Sequence, residues 1–277
     1  MRIGIIGGGV IARLVLEHRG ELGGVEVAGI LGRSDASRGK PLAASFGVPF
    51  VTSLEALLAL KPDAVVEAAS HDAVRQYAAP TLAAGVPVIV LSGGALCDDA
   101  LREQLEQAAE KAAAKVAASK RPLLYVPSGG IGGLDALKAV CAAGADEVEI
   151  AVTKPPAAWR GIPYVERLGV DLDRLAGATV LFDGTAREGV PHFPANVNIA
   201  AVLALAGIGF DRTRLKVVAD PALKFNTHFI TVRGLTGTIR LEFESVPAPD
   251  NPKTALLACY SALAAIKALG SPVRYGT

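Results

Sequence analysis

The chain has 277 residues, with 28 Lys plus Arg against 27 Asp plus Glu, for a formal charge of +1. That balance argues against a nucleic-acid binder that relies on a basic surface. Apolar residues make up 51% and charged residues 20%, which is ample for a core and unlike a disordered composition, while aromatics at 5% leave that core to Ala, Val, Leu and Ile.

The first half alternates short apolar strands with helices. Strands are expected at Arg2–Ile6, Val25–Leu31, Val48–Val51, Ala64–Ala68, Val88–Leu91 and Leu123–Val126. Helices are expected between them, at Val10–Glu21, Ala36–Phe46, Ser53–Leu60, Asp72–Ala84 and Asp98–Ser119. This alternation predicts an α/β domain of the Rossmann type, with a parallel sheet and helices on both faces. After about residue 126 the pattern changes. A small-residue helix over Ile131–Ala143 leads into strands at Glu147–Thr153, Ala178–Phe182, Leu215–Ala219, Phe225–Val232 and Thr238–Phe243. Strands without a helix between every pair predict a mixed or antiparallel sheet in a second α/β domain. Pro247–Pro252 reads as a loop and Lys253–Leu269 as a closing helix. The expected division is therefore 1–126, 127–250, and a C-terminal helical segment 251–277 that packs back on the first domain.

Cys97, Cys141 and Cys259 are odd in number and widely spaced, with no CxxC pair. They read as free thiols of a reducing compartment, with neither a disulfide framework nor a metal centre. The N-terminal Ile3–Gly9 is too short and too glycine-rich for a secretory leader, and no uncharged apolar run reaches the ~18 residues of a membrane span. A cytoplasmic protein without membrane partners is the expectation.

Gly7-Gly8-Gly9-Val10-Ile11-Ala12 fits G-x-G-x-x-A, directly after a strand and at the start of a helix. In that context Gly7 permits a tight turn, Gly9 lets the backbone approach a pyrophosphate, and Ala12 allows close packing of helix on strand. The N–H groups at the helix start, of Val10 and Ile11, suit an anion. A dinucleotide site is expected. At the tip of the second strand no acid is present to hold a ribose 2′-hydroxyl, and Asp35 comes late. Arg33 with Ser34 suits a 2′-phosphate, which favours NADP over NAD; the alternative is that Arg33 stacks on the adenine. Ser70 follows the fourth strand, where an open sheet binds its ligand, and also has the position of a helix cap. Glu67, inside an apolar strand, requires a partner.

In the second half Pro127–Leu137 is the densest glycine stretch outside the N-terminus, and it suits either a loop over a nicotinamide or an interdomain hinge. Asn196 and Asn198 precede an Ala-rich helix, one as ligand donor and one as cap. Asn226, His228 and Ile230 share a strand face. By residue type alone, His228 is either a structural histidine or one with a tuned pKa. Lys154, before two prolines, is either a substrate partner or a solvated loop residue, and Lys224 and Lys253 are further cationic candidates.

Several blocks now occur in order: Gly7-Gly8-Gly9, Pro127–Asp135, Lys154-Pro155-Pro156, Phe193–Asn198, Asp220-Pro221 with Asn226 and His228, and Asn251-Pro252-Lys253-Thr254. Together they resemble the L-aspartate dehydrogenases across essentially the whole chain. The resemblance implies NAD or NADP as oxidant, a homodimer, and oxidation of L-aspartate through iminoaspartate to oxaloacetate and ammonia, with iminoaspartate available to NAD biosynthesis. It puts the active-site histidine on His228 and cofactor contacts on Gly130 and Asn198. Ser128 and Gly129, together with Asn198 and His228, are then the candidates for substrate contact. Two departures are visible: Gly130 where the family usually has Ala, and Ala255 where it commonly has Ser. A histidine with a near-neutral pKa would suit the proton transfers of amine oxidation. Two rivals are another two-domain NAD(P) oxidoreductase and a non-catalytic NADP-binding sensor. The Glu-Lys-Pro signature of sugar dehydrogenases is absent.

Overall fold

The computed structural model describes residues 1–114, 123–194, 196–248 and 251–273. The chain divides into two compact units, Met1–Pro127 together with the segment from Cys259, and Ser128–Ala258.

The first unit contains β1 (Arg2–Ile6), α1 (Val10–Glu17), β2 (Glu26–Leu31), α2 (Gly39–Phe46), β3 (Phe50–Val51), α3 (Leu54–Ala59), β4 (Ala64–Glu67), α4 (His71–Ala83), β5 (Val88–Val90), α5 (Asp99–Ala113) and β6 (Leu124–Tyr125). The expected helix continuation to Ser119 lies outside the described residues. Strand order is β3-β2-β1-β4-β5-β6, with every pair parallel. This is the doubly wound order. β4 and β5 are apolar almost throughout because helices cover both of their faces. Ser53, Ser70 and Asp98 cap α3, α4 and α5 through their side-chain oxygens. The core is aliphatic, built around Ile3, Ile5, Val15, Leu16, Ile30, Val66 and Ile89. Leu263, Ala265 and Ile266 of the C-terminal helix join it.

The second unit contains α6 (Leu134–Ala143), β7 (Ala145–Lys154), α7 (Pro163–Arg167), β8 (Thr179–Thr185), α8 (Ala186–Gly189), α9 (Asn198–Ala206), β9 (Thr213–Ala219), β10 (Asn226–Gly234), β11 (Gly237–Ser245), β12 (Pro247–Ala248) and β13 (Asn251–Ala255). α10 (Leu256–Gly270) ends the chain's regular structure. The large sheet has the order β11-β10-β7-β9-β8 and is mixed, since β7 and β9 are parallel and the other pairs antiparallel. β7 alternates as a half-buried strand must, with Val148, Ile150, Val152 and Lys154 in phase on the buried face. The opposite face carries Phe229 and Val180 with the ion pairs Arg233–Glu147 and Arg214–Asp183.

Two sequence expectations are corrected here. α6 starts at Leu134 rather than Ile131, because Gly133 before it is held in the left-handed region. Residues 247–255 are not a loop running into a helix. Pro247–Ala248 and Asn251–Ala255 form the two-stranded β12–β13 ribbon, which keeps 251–255 extended and delays α10 to Leu256. Among the described residues no helix is long and apolar enough to cross a membrane.

Candidate active site

In the first unit β1 has β2 on one side and β4 on the other, so the connections diverge at its C-terminal end. Gly7 follows directly. Its N–H donates to the Leu31 carbonyl at 2.9 Å, and its φ is +106°. A Cβ there would lie 2.6 Å from the Ala68 carbonyl oxygen, and one on Gly8 would lie 2.2 Å from the Gly39 nitrogen. The fold itself therefore requires the first two glycines. Gly9 differs: its φ is an ordinary −88°, and a Cβ would meet nothing within 4 Å. Its bare flank is thus available for a ligand's approach. As N-cap of α1, Gly9 offers no side chain, and the first turn carries no acid. The N–H groups at the start of that helix, including those of Val10 and Ile11, retain their capacity for an anion. These features fit a dinucleotide pyrophosphate.

Arg33 and Ser34 are exposed just past the end of β2. Asp35, the nearby acid, is engaged by Lys40 Nζ at 2.7 Å. Glu67, at the end of β4, is fully buried. Its Oε1 accepts from the N–H groups of Ala69 (2.8 Å) and Ser70 (2.9 Å) and from Ser92 Oγ (3.0 Å), while Oε2 accepts from the Ser92 N–H (3.0 Å). Burial raises its pKa against the pull of these four bonds. The carboxyl thus ties the ends of β4 and β5 together. Ser70 Oγ accepts from the Ala73 N–H at 3.3 Å, which makes it the cap of α4.

In the second unit the loop 128–133 lies against α9 and β11. A Cβ on Gly130 would contact Ala255 at 3.4 Å and Ile199 at 3.6 Å, and one on Gly132 would contact the Phe243 ring at 3.5 Å. Phe243 is the cross-strand partner of His228. The folded unit therefore gathers the loop, the start of α9 and His228. Asn198 is the first residue of α9, and the cap position belongs to Val197, with no side-chain cap. The expected asparagine cap is therefore not formed. Asn196 is instead buried, and its carbonyl accepts from Lys154 Nζ at 3.0 Å.

His228 is 2% exposed and its Nδ1 has no partner among the described residues. Burial first, and the positive charge of Lys154 second, push its pKa down to about 3, with the Thr227 backbone pulling weakly the other way. Lys154 is buried as well, with Nζ 5.4 Å from the centre of the Trp159 ring, and burial lowers its pKa to about 7. This corrects the expectation of a histidine with a near-neutral pKa. The imidazole is uncharged at neutral pH, and the group that titrates there is the amine. The signal for Lys154 was present in the sequence, since it continues the period-two row of Val148, Ile150 and Val152.

The remaining histidines have structural surroundings. His18 bonds Glu21 and lies edge-on to Tyr260, and His192 stacks on Tyr164 at 4.2 Å. His71 opens α4. Lys224 is exposed ahead of β10. Among the described residues no cluster of three or more His, Cys, Asp or Glu side chains is placed to hold a metal ion.

Residues 3–119 match the model of the homoserine dehydrogenase NAD-binding domain. With the doubly wound sheet and the bare flank of Gly9, this defines the protein as an NAD(P)-dependent oxidoreductase. Residues 135–269 match the model of the aspartate dehydrogenase C-terminal domain. The chain is 42% identical to the L-aspartate dehydrogenase of Methanosarcina acetivorans over 281 aligned positions that cover both chains fully. It is 45% identical to L-aspartate dehydrogenase 2 of Bordetella pertussis over 229, covering 82% of this chain and 81% of that one. The crystal structure of aspartate dehydrogenase from Thermotoga maritima is similar with a TM-score of 0.74 at 28% identity, covering 100% of this chain and 99% of the other. The chain belongs to the L-aspartate dehydrogenase family.

Proposed function

We propose that the protein oxidises L-aspartate to iminoaspartate with NAD(P) as oxidant, and that water converts the imine to oxaloacetate and ammonia. The reverse amination follows from the same groups, and iminoaspartate is then available to NAD biosynthesis. One observation carries this reading: a buried, uncharged His228 beside a buried Lys154, in the unit that matches the aspartate dehydrogenase domain.

When bound, the nicotinamide supplies the acceptor for the hydride from the substrate Cα. The chain's own groups handle the protons. The substrate ammonium must lose a proton before its nitrogen can donate electrons, and His228 Nδ1, with no partner among the described residues, is the acceptor we assign. A base with a pKa of about 3 is weak, but the two carboxylates of a bound substrate raise the pKa of a neighbouring imidazole toward the working range. After that proton passes to solvent, the neutral imidazole accepts the one proton that water loses on adding to the imine and returns it to the nitrogen as ammonia leaves. Gly7, Gly9, Val10 and Ile11 form the pyrophosphate turn. Arg33 and Ser34 favour NADP, since Asp35 is engaged by Lys40. Ser128, Gly129, Gly130 and Asn198 are the second unit's further candidates for cofactor and substrate contact. The exposed face of the second sheet, with Phe229 and Val180, supports a homodimer, and three free thiols suit a cytoplasmic setting.

The test is reduced-cofactor absorbance with L-aspartate and, separately, NAD and NADP. Turnover is expected with both and at higher kcat/KM with NADP. His228→Ala should lower kcat by roughly 10²–10⁴-fold at an unchanged melting temperature. No absorbance change with either cofactor rejects the reading.

A further inference from the structure

Glu67 is the only buried acid among the described residues, at 1% exposure. All of its hydrogen-bond partners are donors: the N–H groups of Ala69, Ser70 and Ser92 and the hydroxyl of Ser92. An N–H group has no capacity to accept a proton, so this set fits the ionised carboxylate and not the acid. No Lys, Arg or His among the described residues pairs with it, and neutral groups alone oppose the effect of its burial. Buried charges are normally paired, so a carboxylate held this way at a ligand-binding edge points to a positive charge that comes from outside the chain.

Its place in the sheet identifies that charge. In a doubly wound sheet the two halves of a dinucleotide take the two sides of the divergence beside β1. The β2 side carries Arg33 and Ser34 just past the strand end, where the adenosine ribose is held. The β4–β5 side is left to the nicotinamide half. Glu67 ends β4 and is bonded to the loops that follow β4 and β5. The first of these loops abuts the glycine turn, since a Cβ on Gly7 would lie 2.6 Å from the Ala68 carbonyl oxygen and 3.0 Å from Ala69 Cβ. Asp72, in the first turn of α4, adds little, because it is exposed and 3.4 Å from Arg75 Nη1.

An oxidised nicotinamide ring carries a positive charge and a reduced one carries none, while the rest of the cofactor is the same in both. A fixed negative charge therefore favours the oxidised form. At an effective dielectric constant near 20, opposite unit charges about 12 Å apart still change an affinity about tenfold, so contact with the ring is not required.

We propose that the Glu67 carboxylate is the electrostatic counterpart of the oxidised nicotinamide ring and makes the first unit discriminate oxidised from reduced cofactor. It acts through charge and touches no reacting atom. The proposal rests on the reading of the first unit as an NAD(P) site. Its consequence for turnover is that the attraction vanishes once hydride has been transferred, so the reduced cofactor leaves more readily.

The experiment measures Kd for NADP by calorimetry and for NADPH by fluorescence titration, without substrate, with NAD and NADH run in parallel. Wild type, Glu67→Gln and Glu67→Asp are compared. The wild type is expected to bind the oxidised form more tightly. Glu67→Gln keeps the size of the side chain and removes its charge, and should shift the ratio of the two affinities about tenfold toward the reduced form. Its amide NH2 also faces a donor, which disturbs the loops and weakens both forms together, an effect that cancels in the ratio. Glu67→Asp keeps the charge on a shorter stem, and should lower the melting temperature and both affinities while keeping the ratio. A merely structural carboxyl predicts an unchanged ratio in both variants, and that result overturns the proposal. If Glu67→Gln does not fold, the wild type and Glu67→Asp decide, because tighter binding of the reduced form by either one overturns it. Binding of neither form rejects the parent reading together with the proposal, whereas binding of both with the reduced form the tighter rejects the charge role alone. Turnover of L-aspartate enters none of these outcomes.

Discussion

Lys154 and His228 show how a residue's chemistry follows from its neighbours. A lysine whose pKa falls from 10.5 to about 7 makes the folded state bind fewer protons than the unfolded chain between those values. Stability from this source is therefore fully present above 10.5 and is lost as pH falls toward 7. The expected outcome is that the unligated Lys154→Met variant melts above the wild type at pH 7, and that the gap narrows steadily toward pH 10. Scanning calorimetry of both proteins across that range checks this; a pH-independent gap contradicts it. His228 has the same sign at lower pH. Its contribution is lost as pH falls from 6.5 toward 3, because the unfolded imidazole takes up a proton that the buried one refuses. His228 itself was legible through its motif and its strand phase. Its protonation state was not, because burial depends on the neighbouring strands, which place Val152 and Phe243 on either side of it.

At the scale of elements, the glycine turn separates into two functions. Gly7 and Gly8 answer to the protein, one to the Ala68 carbonyl and the other to the backbone of Gly39. A Cβ on Gly9 would meet nothing within 4 Å among the described residues. Gly9→Ala is therefore expected to leave the melting temperature within about 2 °C of the wild type, since surface changes away from special features shift stability by no more than ~0.5 kcal/mol. The same substitution should weaken dinucleotide binding by about tenfold or more, through lost backbone approach to the pyrophosphate. Gly7→Ala should instead lower the melting temperature markedly, because it places a Cβ in a left-handed residue against a carbonyl. Melting curves with and without NADP distinguish the two. The Rossmann-type strands were legible because buried parallel strands are continuous apolar runs. The β12–β13 ribbon was not. Its two short strands contain Pro247 and Pro252, and only their mutual pairing reveals them as strands.

For the whole molecule, the question is what covers the second sheet. Phe229 is 47% exposed and Val180 53%, on a face whose other side chains are largely charged or threonine. A two-fold partner of the same chain would bury both residues and align the sheet face with its copy. Size-exclusion chromatography with light scattering is expected to give twice the chain mass for the wild type and the single-chain mass for Phe229→Arg. A wild-type monomer at micromolar concentration would falsify the homodimer. The near-zero net charge of the chain also gains meaning at this scale. The whole surface provides little steering for an anionic dicarboxylate substrate, so the attraction must be local, as a buried Lys154 would provide.

The sequence by itself determined the doubly wound first domain, the mixed second sheet, the glycine turn after β1 and the strand face on which His228 stands. Those features are local: each depends on residue period, on a cap or on a motif of consecutive residues, and such signals survive in one dimension. Only the tertiary structure decided that His228 is uncharged, that Lys154 is the titrating amine beside it, and that Glu67 ties two strand ends together. Those facts depend on which residues lose water together and which strands lie side by side. The contacts that decide them join residues far apart in the chain, as between Thr153 and Thr227, which pair across β7 and β10.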